Sequence, residues 1–167
     1  MLQYVAEHRQ SDDALWVSYG AGQAFEYYTR LIPIAGDVQM GDCNHQNPRQ
    51  YLRQVDVERG RARAWFLFAN FDERQRILAY LNAIGTQLDA FQAPPDDTRP
   101  TVAAVFLYDL SNPQKLAAVE ADSFPIRGFG PRGAARRAEE WTCYGTNSVL
   151  PARNRTATEA VMRLGSQ

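Results

Sequence analysis

Along the first 110 positions the apolar residues follow two alternating rhythms. Unbroken runs at 14–19 (ALWVSY), 64–69 (AWFLFA) and 101–110 (TVAAVFLYDL) have the length and β-branched or aromatic content of strands buried on both faces. Elsewhere apolar residues return every three or four positions, as on one side of a helix. Leu2, Val5 and Ala6 predict a short amphipathic helix, closed by the turn Ser11-Asp12-Asp13. Ala24, Phe25, Tyr28 and Leu31 predict a second helix that Pro33 stops. A weaker strand over 34–40 is interrupted by Gly36 and Asp37. Tyr51, Leu52 and Val55 mark a third helix, opened by Pro48 with Asn47 as its cap and ending near Gly60. Ile77, Leu78, Leu81, Ile84, Leu88 and Phe91 then predict one long helix from Asp72 to Phe91, with Gly85 as its weak point. Ser111-Asn112-Pro113 caps a last short helix reaching Val119.

The succession of strand and helix predicts an α/β domain: three-layer α/β/α, on a mostly parallel, Rossmann-like sheet of about four to five strands. This domain spans 1–125. Residues 126–150 form a peripheral C-terminal extension, and 151–167 a flexible tail.

Composition narrows the function classes. The 167 residues are 45% hydrophobic, enough for a substantial core, and 18 basic against 19 acidic side chains leave no electrostatic footprint for nucleic acid. No apolar run reaches the ~18 to 20 residues of a membrane span, and MLQYVAEHRQ lacks the basic-then-apolar order of a signal peptide. A soluble chain without an export address is therefore expected. Two cysteines, Cys43 and Cys143, allow at most one bridge, and otherwise two buried thiols.

The clearest candidate site is the turn between the first strand and its helix. Tyr19, Gly20, Gly22 and Gln23 stand where ligands gather in open α/β folds, at the carboxyl end of a strand. Asp72 and Asp109 both follow strand-like runs, which would place them on one edge of the sheet, although Asp72 also suits the start of its own helix. Other patterns lack context. Gly128 to Gly133 spells G-x-G-x-x-G with no strand before it, and Asp42, Cys43 and His45 form an incomplete metal set, so no metal or cofactor is expected. No G-x-S-x-G or Walker sequence occurs. Trp16, Trp65, Tyr27 and Tyr28 read as core aromatics rather than a sugar-stacking set.

Taken together, WVSYGAGQAFEYY, GDCNHQNPRQYL, GRARAWFLFAN, ERQRILAYLNAIGTQLDAFQAP and FLYDLS resemble the globular C-terminal portion of bacterial polytopic glycosyltransferases. These are the GT-C type enzymes that use polyprenyl-phosphate sugars, relatives of the protein O-mannosyltransferase and aminoarabinose transferase group. The similarity covers about residues 2 to 125. It implies an accessory domain on the extracytoplasmic (periplasmic) face of the inner membrane, partnered by a membrane-embedded catalytic half and only indirectly by the polyprenyl-phosphate sugar or glycan acceptor. No transmembrane segment precedes residue 1, so a detached domain or a separately encoded relative is expected, with no catalytic residue of its own. The oxidising location so implied would favour a Cys43 to Cys143 bridge. The alternative is a free-standing α/β protein holding a phosphate or sugar phosphate at Gly20 to Gln23.

Overall fold

The computed structural model describes residues 1–43, 47–69, 74–93 and 103–126. Its frame is a five-stranded sheet in the order β2-β1-β3-β5-β4. The strands are β1 (Ala14–Val17), β2 (Val38–Met40), β3 (Ala64–Phe68), β4 (Thr86–Gln92) and β5 (Ala104–Asp109). β1 is parallel to both neighbours, with Leu15 opposite Val38 and Trp65. Every residue of β1 and β3 is buried, which is why both appear as unbroken apolar runs.

The sheet is mixed, which corrects the expectation of a mostly parallel one. β5 runs antiparallel to β3 on one side and to β4 on the other. The long helix expected from Asp72 to Phe91 is in fact two elements. Helix α4 (Arg74–Ile84) ends at Gly85, and Leu88 and Phe91 belong to β4. The reason is steric: a Cβ on Gly85 would lie 2.4 Å from Leu110 Cδ2 and 2.6 Å from the Asp109 carbonyl. That close approach lets the chain turn directly out of α4 into a strand. β4 then runs in the direction of β3, one position removed, and β5 fills the gap between them in the opposite sense.

Alternation along the strands divides the core in two. Trp16, Phe66, Phe68, Phe106 and Tyr108 face α3 (Pro48–Asp56) and α4, joined by Leu116 of α5 (Pro113–Ala118). Leu15, Val17, Trp65, Leu67, Val105 and Leu107 face α1 (Leu2–His8) and α2 (Gly22–Tyr28). Trp16 and Trp65 are thus core residues, as expected, on opposite faces. The Asn112 side chain caps α5 by accepting from the Gln114 and Lys115 amides, whereas Asn47 precedes α3 without a side-chain cap bond. The proposed extension and tail, apart from residue 126, lie outside the described residues.

Candidate functional site

The carboxyl ends of β1, β2 and β3 share one edge of the sheet, and the predicted turn lies there. It is a 3₁₀ turn, Tyr19–Ala21, running straight into α2. Neither glycine uses left-handed backbone: Gly22 has φ −55 and ψ −53, and the positive-φ glycines among the described residues are Gly36 and Gly60. A Cβ added at Gly22 would lie 3.2 Å from Cε of the exposed Met40 side chain. The Ala21 amide donates to Ser18 O and the Gly22 amide to Tyr19 O, so the turn consumes these donors itself. Gly20 and Gln23 are exposed, and Ser18 Oγ is fully buried there without a hydrogen-bond partner.

Beside the turn lies an apolar surface that helical spacing assigns to the core. Only Phe25 of α2 is buried, whereas Tyr27 is 60% exposed, Tyr28 49% and Leu31 68%. The two tyrosine rings meet edge to face at 5.1 Å, so core packing is corrected for this pair. Met40, at the end of β2, is also exposed. Three residues further on, Cys43 is half-buried and disulfide-bonded. Cys143, His45, Asp72 and Gly128 to Gly133 lie outside the described residues.

Asp109 does not join this edge. Because β5 is antiparallel to β3, Tyr108 pairs with Ala64 at the start of β3, and Asp109 sits at the amino edge. Its Oδ1 accepts from the Ser111 amide and hydroxyl, which hold the carboxylate below its ordinary range. The amino edge is rich in charge, and the clusters around Arg9 and Asp13 support the fold. Arg9 donates to the Asp13, Ala35 and Asp37 carbonyls, fastening the approach to β2 onto α1. Asp13, 2% exposed, accepts from Arg63, the Trp65 indole and the Gln10 amide. Periodicity gave no signal for this cluster, since Asp13 reads as an ordinary turn residue.

Comparison with protein-family models, with curated proteins and with solved structures gives no match to this chain.

The chemistry of the site therefore has to be judged on its own groups. The amino edge contains one group that costs stability. Glu58 is fully buried, and Arg61 Nε lies 3.1 Å from its Oε2 without hydrogen-bonding alignment. Burial raises its pKa, Arg61 lowers it and Asp37 raises it, with a net rise. A group whose folded pKa is raised contributes stability below its unfolded pKa and loses that contribution as pH rises through the folded value. Glu58→Met is therefore expected to stabilise the fold at neutral pH by ~1 to 3 kcal/mol, the desolvation cost of a buried unsatisfied polar group. Arg61 retains Asp37 at 2.6 Å. Urea unfolding from pH 4 to 8 should show the gain growing with pH, and a gain independent of pH would rule out this account.

On the other face, an open groove of about 530 Å³ runs between α3 and α5, lined by Arg53, Asp56, Arg59 and Glu120. Its floor is fully engaged: the Tyr80 hydroxyl donates to Asp56, while Arg59 donates to Asp56, to Tyr80 Oη and to the Leu116 and Val119 carbonyls. Burial, reinforced by Asp56, raises the Tyr80 pKa, so this phenol serves as a structural donor. Among the described residues no group of three His, Cys, Asp or Glu side chains could hold a metal ion, and no helix is long and apolar enough to cross a membrane.

Proposed function

We propose that this chain is the extracytoplasmic accessory domain of a membrane glycosyltransferase, non-catalytic alone, which covers a membrane-embedded catalytic half and helps shape its donor or acceptor entrance. The observation that carries the proposal is the exposed set Tyr27, Tyr28 and Leu31 beside the carboxyl edge of the sheet. An open α/β enzyme gathers its polar reacting groups at that edge. Beside that edge, among the described residues, tyrosine and leucine face outward, and amphipathic aromatics of this kind are enriched where one protein surface buries another. The disulfide at Cys43 supports an oxidising compartment, and pairing with Cys143 belongs to the same reading.

The test has two arms. The purified chain, incubated with a polyprenyl-phosphate sugar and acceptor, is expected to transfer no sugar, and detectable transfer would overturn the non-catalytic role. A photo-crosslinking residue placed at Tyr28 should capture a polytopic membrane protein encoded in the same reading frame or operon. The same probe at Arg53, on the opposite helical face, should not. Equal capture from both positions would remove the assignment of the docking face.

A further inference from the structure

Among the described residues β4 is the most exposed strand of the sheet. This strand is seven residues long, and only Asp89 is even half-buried. The opposite edge, β2, is three residues long. A long, exposed edge strand presents unpaired amides and carbonyls to any other strand, and folded proteins that remain monomeric carry a feature that blocks such pairing.

Ladder geometry shows which groups point outward. The Ala93 amide donates to Ala103 O, so position 93 bonds inward, toward β5. Bonding alternates along an antiparallel ladder. Phe91 and Asp89 thus also bond inward, while Ala90 and Gln92 turn their amides and carbonyls away from the sheet. The central outward donor, the Ala90 amide, is already occupied: it donates to Asp89 Oδ1 at 2.8 Å. The other carboxylate oxygen, Oδ2, accepts from the Tyr4 hydroxyl at 2.7 Å. Tyr4 is itself held between stacked rings, with His8 at 4.0 Å and Phe91 at 4.6 Å. A register shift between Gln87 and Asp89 adds an irregularity at the same point.

We propose that Asp89 is a gatekeeper that keeps the outer edge of β4 from pairing with β4 of a second copy of this chain. A second copy is the occupant that fits, because an edge strand laid antiparallel on itself makes a self-complementary two-fold contact. With the axis at Ala90, the outward groups of Ala90 pair with their own copy, while Gln92 falls opposite Leu88, where the register shift interrupts the alternation. Asp89 opposes this register by occupying the Ala90 amide. Moving the axis to Asp89 places two carboxylates directly opposite each other, which like-charge repulsion disfavours. The carboxylate blocks both registers, and Tyr4 positions it to do so. This inference is independent of the glycosyltransferase reading, which concerns α2 and the other end of the sheet order.

The test is sedimentation of the intact chain over a wide concentration range. Wild type is expected to be monomeric. Asp89→Thr, which removes the charge and adds a strand-former, should raise the self-association constant at least about tenfold, the scale of one strand hydrogen bond with its flanking contacts. Asp89→Ala should act in the same direction and provides the reading if the threonine variant folds poorly. Adding Ala90→Pro to Asp89→Thr removes the outward amide and should restore the monomer. Three results would overturn the proposal: a wild type that already dimerises, folded Asp89 variants that stay monomeric, or association that persists with Pro at position 90.

Discussion

Asp13→Ala is expected to lower the unfolding free energy by ~3 kcal/mol at neutral pH and to flatten the loss of stability in acid. The carboxylate is 2% exposed and receives four hydrogen bonds: from Arg63 Nε at 2.7 Å and Nη2 at 3.1 Å, from Trp65 Nε1 at 2.8 Å and from the Gln10 amide at 3.0 Å. Alanine leaves the indole N–H orphaned inside the core, since Trp65 is wholly buried. Arg63 is partly exposed and regains water, so its lost partner contributes less than a fully buried pair would. Burial pushes the Asp13 pKa up, but Arg63, the Gln10 amide and Trp65 outweigh it, and the net shift is downward. A depressed folded pKa means that the stabilisation is complete above the unfolded value of about 3.9 and is lost as pH falls toward the folded one. Urea unfolding of both proteins between pH 2 and 7 measures this directly. Parallel stability curves for wild type and variant would show that Asp13 is not the acid-sensitive group.

The parts of the fold legible from sequence are those whose surroundings impose a simple pattern. β1, β3 and β5 are covered on both faces, and burial on both faces produces unbroken apolar runs. β4 is exposed along nearly its whole length, so TQLDAFQ lacks both a run and an alternation, and Leu88 and Phe91 fall by chance at helical spacing after Ile84. Missing that strand also concealed the direction of β5, and with it the position of Asp109.

The candidate site was legible in place but not in character. Glycines after an apolar run located the turn at the carboxyl edge, yet neither Gly20 nor Gly22 takes the left-handed backbone that glycine alone enters easily. Spacing put Tyr28 and Leu31 on the face of Phe25. Periodicity reports which residues share a side, not how far a neighbouring layer reaches, and in α2 the core reaches Phe25 alone. Asp13 and Glu58 were invisible for the opposite reason. Each lies in a polar local sequence that gives no sign of burial, although Asp13 bonds the Trp65 indole fifty-two residues on and Glu58 is fully buried.

Gly85→Ala should cost ~3 kcal/mol, at the upper end for a small-to-large change in a packed interior. The added methyl group would be 2.4 Å from Leu110 Cδ2, 2.6 Å from the Asp109 carbonyl and 3.3 Å from the Leu81 carbonyl. Leu110 is fully buried and sits in the cluster formed with α3 and α4, so its side chain has little room to withdraw. The two carbonyls are backbone, and Asp109 ends the strand that holds β3 and β4 together. Relief therefore requires separating α4 from the end of β5. Alanine's better helix propensity returns at most about 1 kcal/mol, because position 85 is where the helix stops. Lys115 reports on the same junction, since its Nζ donates to Gly85 O at 2.6 Å and to Thr86 Oγ1 at 3.0 Å. Thermal and urea unfolding give the loss, and hydrogen exchange should place it in faster opening of the β4 and β5 amides while β1 remains protected. If the variant is as stable as wild type, the helix can continue through position 85 and the steric account of why β4 begins there is wrong.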